Sequence, residues 1–328
     1  MLLNAADKAL WRLALPMIFS NITVPLLGLV DTAVIGHLDS PVYLGGVAVG
    51  ATATSFLFML LLFLRMSTTG LTAQAWGAKD PQRLARALVQ PLALALGAGV
   101  LIILLRLPLI DLALHIVGGS EAVLEQARRF LEIRWLSAPA SLANLVLLGW
   151  LLGVQYARAP VILLVVGNLL NIVLDLWLVM GLRMNVQGAA LATVTSEYAT
   201  LIIGLLMAKR VLTLRGVSLA MLKNAWRGDL RRLLALNRDI MLRSLLLQLC
   251  FGALTVFGAR LGSDIVAVNA VLMTMLTFTA YALDGFAYAV EAHSGQAYGA
   301  RDGSQLLEVW RAACRQSGSP AWWRWPLP

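Results

Sequence analysis

The sequence holds 328 residues, of which 59% are hydrophobic and only 13% charged, with a mean hydropathy of +0.79. A soluble domain carries roughly twice that charged share, so a soluble fold is excluded, and with it a nucleic-acid reading of the net charge of +9. The two cysteines, Cys250 inside an apolar run and Cys314 near the end, make neither a disulfide framework nor a metal cluster.

Eight apolar runs in chain order are long enough to span a bilayer, which takes about 20 helical residues: 10–36, 43–75, 87–110, 123–152, 160–182, 187–207, 233–261 and 265–297. They predict an all-α polytopic membrane protein. The first run is too long for a cleaved signal and no small-residue cleavage site follows it. It contains Pro16 and Pro25, each of which leaves a helical carbonyl without its donor and favours a bend. Lys and Arg on the N-terminal side of the predicted membrane outnumber those on the other side three to one, which predicts a cytoplasmic N-terminus.

The heptad QAWGAKD at Gln74–Asp80 returns as QAYGARD at Gln296–Asp302, closing the second and eighth runs. Upstream, VIGHLDS at 34–40 is echoed by VFGARLGS at 256–263. Two echoes in one order define a repeating unit of six spans, and six being even, both copies start on the same side. Parallel repeats of this kind occur in secondary transporters. The predicted organisation is a first six-helix lobe at 1–212, a basic cytoplasmic linker at 213–232, an incomplete second lobe of two helices at 233–315 and a tail at 316–328. On this reading about eight of twelve helices are present, and the Trp- and Pro-rich tail is a shifted reading frame.

No phosphate loop, metalloprotease, hydrolase or paired-cysteine motif is found in the sequence, so no enzyme is expected. Acidic residues inside apolar runs are costly, about 2.5–3.5 kcal/mol at mid-helix, and so are functional candidates. Counted at about 1.5 Å per residue, Asp31, Asp175 and Thr193 lie at one depth near the outer surface, and Asn171 sits one turn before Asp175 on the same helix face. Two carboxyls, an amide and a hydroxyl can bind Na⁺ or keep a proton on a buried carboxyl; the alternative is polar residues that face different neighbours. Glu197, one turn past Thr193, joins this set or pairs elsewhere. Asp284 is matched with Arg243, Glu291 is expected to reach water, and Arg65 to run its stem to the inner surface. His37 and His115 read as loop residues. Aligning 34–36 on 256–258 places Asp31 opposite Ala253, so the acid belongs to the first repeat.

The stretches ALPMIFSNITVPLLGLVDTAVIGHL at 14–38, LTAQAWGAKD at 71–80, GNLLNIVLDLWLV at 167–179 and GAALATVTSEY at 188–198 resemble the multidrug and toxic compound extrusion (MATE) family, in the branch called DNA-damage-inducible protein F. The resemblance runs from about residue 9 to 315. It implies a two-lobe, twelve-helix exporter of the bacterial inner membrane, without a cofactor and monomeric when full length. It would exchange a drug-like, often cationic amphiphile for H⁺ or Na⁺ by alternating access. The family's first-lobe cation site, carried over residue by residue, falls on Asp31, Asn171, Asp175 and Thr193, and its bent first helix on Pro16. A flippase for lipids or lipid-linked sugars, or a membrane remnant that transports nothing, are the rival readings.

Overall fold

The computed structural model describes residues 4–228 and 230–317; the tail from 318 onward lies outside the described residues. Among the described residues every regular element is helical, and eight helical stretches are long and apolar enough to cross a membrane. The first is α1 (Ala5–Gly36), opened by a capping box in which Asn4 and Asp7 satisfy each other's backbone donors. It stays helical through Pro16 and Pro25, with the Ser20 hydroxyl donating to the Pro16 carbonyl at 2.8 Å.

Where runs were predicted as single spans, the structure breaks three of them. The second becomes α2 (Pro41–Leu60) and α3 (Phe63–Gly77), joined by a tightened turn at Leu61 and Leu62; nothing in the local sequence explains this turn. The third ends early: α4 (Pro81–Leu104) stops and α5 (Arg106–Val117) starts separately. Pro108 lacks the N–H that would bond the Leu104 carbonyl, so 105–110 leaves the span, and His115 lies in a helix rather than a loop. The fourth run divides into α6 (Glu121–Arg134) and α7 (Ala138–Gly153), with Pro139 at the start of α7. The fifth is α8 (Arg158–Asp175), which widens into a π-helical segment, Leu176–Gly181.

The sixth, α9 (Asn185–Leu214), runs past the predicted end at 207. The charges of Lys209 and Arg210 suggested a stop, but Ala208, Val211 and Leu212 recur at helical spacing and are buried in the core. A short α10 (Leu219–Lys223) follows and is tied to α4: Gln82 Nε2 donates to the Met221 carbonyl at 3.2 Å, and Gln90 Nε2 to the Ala225 carbonyl at 3.3 Å. The last long helices are α11 (Leu230–Leu261) and α12 (Ser263–Gly299), before α13 (Gly303–Ser317).

The largest core gathers around α7, where Trp150 is fully buried and its indole N–H donates to the Leu84 carbonyl at 3.1 Å. A Cβ on Gly149 would lie 2.6 Å from the Arg65 carbonyl, and one on Gly153 the same distance from Thr72 Cβ. Small residues one turn apart let α3 and α7 approach backbone to backbone, the means by which helices associate in lipid.

The two heptads meet each other. A Cβ on Gly77 would sit 1.9 Å from the Gln296 carbonyl oxygen, and one on Gly299 would sit 2.0 Å from the Gln74 carbonyl oxygen. The contact is reciprocal, a local two-fold crossing of α3 and α12, and it explains the repeated letters. Glycine is needed at the crossing. The basic residue after it, Lys79 or Arg301, takes a left-handed backbone with φ of 54° or 55°. The aspartate N–H then reaches back six residues' span, Asp80 to the Ala75 carbonyl at 3.2 Å and Asp302 to the Ala297 carbonyl at 3.1 Å. Each aspartate carboxylate finally caps the next helix: Asp80 accepts from Gln82 and Arg83 N–H, Asp302 from Gln305 N–H. One heptad ends a helix, crosses its twin and starts another helix.

From this crossing α1 and α12 stay together as far as Gly285, whose Cβ would lie 2.5 Å from Ile18 N, with Leu13, Ala14, Met17, Ala289 and Ala292 buried between them. Asn21 Nδ2 reaches the Tyr281 carbonyl at 3.4 Å. Among the described side chains α12 has no buried residue before Gly285. The bundle is closed at the heptad end and opens between α1 and α12 toward the other end.

Candidate functional site

Three helices bring the predicted set together near the open end: α1 carries Asp31, α8 ends with Asn171 and Asp175, and α9 supplies Thr193. Asn171 and Asp175 are 4% and 1% exposed, whereas Asp31 and Thr193 are half-buried. Asn171 Nδ2 donates to Thr193 Oγ1 at 3.4 Å, and Thr193 Oγ1 donates to the Ala189 carbonyl at 3.2 Å. The hydroxyl proton is thus used on the backbone, and the amide orients the hydroxyl oxygen. The Asp31 and Asp175 carboxyls face each other across the α1–α8 contact.

Donors are what this set lacks. Asp31 Oδ1, Asn171 Oδ1 and both oxygens of Asp175 are buried without a hydrogen-bond partner. Buried oxygens are almost always satisfied, and ionised carboxylates only accept, so two facing carboxylates cannot satisfy each other. A proton between them supplies the missing donor; a small hard cation supplies the missing charge. Among the described residues no group of three or more His, Cys, Asp or Glu is arranged to hold a metal ion, and a Na⁺ at this cluster would rest on the amide and hydroxyl oxygens as well as on the carboxyls.

Sequence reasoning missed two features here. Directly after Asp175 the chain forms the π-helical segment, with the Leu182 N–H reaching back to the Trp177 carbonyl at 2.9 Å; such widened turns recur at functional sites. Arg134 at the end of α6 lies near enough to Asp31 and Glu197 to interact electrostatically with both. Its guanidinium stacks over the Phe58 ring at 5.3 Å and bonds the Ser137 hydroxyl. Glu197 stays outside the hydrogen-bonded set: Asn144 Nδ2 donates to its Oε2 at 2.9 Å and to its carbonyl at 3.0 Å.

A second charged cluster lies deeper, between α3 and α12, and corrects two expectations. Arg65 does not extend to the surface; it is 4% exposed, stacks 4.0 Å from the Tyr288 ring centre and lies 3.8 Å from a Glu291 oxygen. Glu291 thus has a protein partner while its side chain stays 28% exposed. Asp284 interacts with Arg65 and not with Arg243, whose guanidinium contacts Met66 Sδ at 3.9 Å. Tyr281, Asp284, Tyr288 and Glu291 recur at helical spacing and line one face of α12. Removing one partner of a buried pair strands the other. Glu291→Ala should cost about 3 kcal/mol, whereas Asp239→Ala, which breaks the exposed pair with Arg238, should cost under about 1 kcal/mol. Thermal melts of the detergent-solubilised chain check both, and equal losses would mean that Arg65 finds another partner.

Comparisons with known proteins point to one family. The MatE family matches residues 16–177 and 240–314. The DNA damage-inducible protein F of Escherichia coli (strain K12) is 89% identical over 316 residues, which cover 96% of this chain and 69% of the relative. A probable multidrug resistance protein NorM from Thermotoga maritima is 29% identical over 196 residues, covering 58% of this chain and 42% of that protein. A solved structure described as the outward-facing conformation of a multidrug resistance MATE family transporter of the MOP superfamily superposes with a TM-score of 0.84 at 25% identity, over 95% of this chain and 69% of that one.

Proposed function

Because the chain belongs to the MATE family of multi-pass membrane transporters, we propose that it serves multidrug efflux, exporting drug-like, often cationic amphiphiles in exchange for H⁺ or Na⁺ across the bacterial inner membrane. The single observation that carries this reading is the set of donor-less buried oxygens on Asp31, Asn171 and Asp175, with Thr193 beside them. A cation or proton arriving from the open end satisfies them, and its departure leaves them unsatisfied. That difference makes ion occupancy a source of free energy for conformational change.

In this reading residues 1–212 form the first lobe, 213–232 a basic linker and 233–315 helices of the second lobe. The basic heptad end faces the cytoplasm with the N-terminus, following the charge bias. The described form is then open outward. Neutralising the Asp31–Asp175 pair lets α1 move onto α8, with flexure at Pro16, where the helix lacks one backbone bond. The collapse of the space beside α1 expels substrate outward, and release of the ion inside resets the helix. Acidic rather than basic groups around that space favour cationic cargo over a pyrophosphate-linked lipid.

The test is dye efflux from proteoliposomes holding the 328-residue chain, driven by an imposed proton gradient or, separately, a Na⁺ gradient. Efflux that follows one gradient and collapses when it is dissipated is expected. Dye movement that ignores both gradients, or no movement at all, would retire the antiport reading.

A further inference from the structure

At the closed end, four arginines from three parts of the chain surround a pair of adjoining cavities just beneath the heptad crossing. The larger, about 450 Å³, is lined by Arg83 at the start of α4, Arg232 at the start of α11 and Arg301 of the second heptad, beside Gln74 of the first. The smaller shares Arg83 and Arg232 and adds Arg86. Arg232 is engaged, donating to Gln74 Oε1 at 3.3 Å. Arg83, Arg86 and Arg301 make no side-chain hydrogen bond or ion pair among the described residues, and the Arg86 Nε is buried without a partner.

Among the described residues two carboxylates are near, Asp80 and Asp302, the latter lining the larger cavity, and each caps the start of a helix. Asp80 accepts from the Gln82 and Arg83 backbone N–H groups, and Asp302 accepts from that of Gln305. Room for Arg86 is specifically provided: a Cβ on Gly228, whose φ is +145°, would come within 2.4 Å of the Arg86 guanidinium carbon. A general excess of Lys and Arg on this face is expected from membrane topology alone. Topology does not require Arg83, Arg232 and Arg301 to line one cavity, nor a buried N–H at the adjoining cavity to go without an acceptor, which costs about 1–3 kcal/mol.

We propose that the larger cavity is a binding site for a phosphate-type anion, held by Arg83 and Arg301 with Arg232 as part of the wall and Arg86 in the adjoining cavity. Guanidinium forks match tetrahedral phosphate oxygens in pairs. A phosphate group is also the chemistry available from two sources at this depth, a free phosphate of the cytoplasm or the headgroup of an anionic lipid in the inner leaflet. Because Arg83 follows the first heptad and Arg301 belongs to the second, a single anion bridges both sides of the crossing and stabilises the closed arrangement of this end. The site is independent of the ion cluster near Asp31 and stands or falls separately.

The experiment measures binding to the purified chain in neutral detergent, by calorimetric titration with inorganic phosphate and pyrophosphate, and by native mass spectrometry after exchange into phosphatidylglycerol or phosphatidylcholine. Saturable, salt-sensitive binding of the inorganic anions assigns a soluble source; selective retention of phosphatidylglycerol over phosphatidylcholine assigns a lipid source, and either supports the site. Arg83→Gln and Arg301→Asn, the latter suited to left-handed backbone, should each weaken that binding about tenfold. Arg129→Gln, which removes an exposed partner of Glu125 at the opposite end, should leave it unchanged. Circular dichroism and size exclusion confirm that the variants fold. The proposal is overturned if neither probe binds saturably, or if folded Arg83→Gln and Arg301→Asn proteins bind as the parent does.

Discussion

Asp175→Asn and Asp31→Asn should each abolish ion-driven efflux while leaving the protein as stable as before or more so. The two carboxyls face each other with three of their oxygens buried and donor-less, so whenever both are ionised the parent holds two acceptors where one acceptor and one donor belong. Asparagine keeps the shape and supplies the N–H. A hydrogen bond to the remaining carboxylate contributes about 1.5–3 kcal/mol, and repulsion within the pair disappears. The sign with pH follows from the same chemistry. Where both carboxyls are ionised, the variant has the advantage. As pH falls, a shared proton gives the parent the same donor, and the advantage shrinks. Melting curves of parent and variants across pH, with efflux measured alongside, test both halves of the prediction. A variant that melts lower at every pH would make the pair a structural element, and one that still follows the ion gradient would remove that residue from coupling.

How much of this was legible beforehand differs by element, for physical reasons. The eight long helices were readable because a bilayer forces apolar length, and 10–36 or 265–297 cannot satisfy that length without showing it in composition. The grouping of Asp31, Asn171, Asp175 and Thr193 was readable as depth, since rise per residue is nearly constant. Depth does not say which way a side chain faces, so the facing of Asp31 and Asp175, and the pairing of Glu197 with Asn144, had to come from packing. The break at Leu61–Leu62 falls in FLFMLLLFLRMS, where neither glycine nor proline signals a turn. Arg65 was misplaced because a long cation near a helix end ordinarily runs to water, and only its contacts with Tyr288 and Glu291 show that it does not. The repeated heptad was visible as text, but a repeat states likeness and not contact.

That contact carries the second large prediction, Gly299→Ala. In an ordinary helix the change would stabilise by up to about 1 kcal/mol, because glycine is the poorer helix former. Here the new methyl carbon would lie 2.0 Å from the Gln74 carbonyl oxygen, well inside van der Waals contact, and the obstacle is backbone that cannot rotate away. Overpacking costs of about 1–3 kcal/mol or more therefore win over propensity, and α3 must separate from α12. Gly77→Ala should cost nearly the same, because its methyl carbon would lie 1.9 Å from the Gln296 carbonyl oxygen. Gly97→Ala, with nothing within 4 Å of the added carbon, should show only the propensity gain. The readout beyond stability is local: hydrogen–deuterium exchange should rise at 70–80 and 292–302 in both crossing variants and stay unchanged around α7. On the proposed antiport reading the crossing closes this end, so ion-driven efflux should fall with it, in proportion to the exchange. If Gly299→Ala melts and exchanges like Gly97→Ala, the heptads merely end two helices, and their juxtaposition bears no load in the closed state.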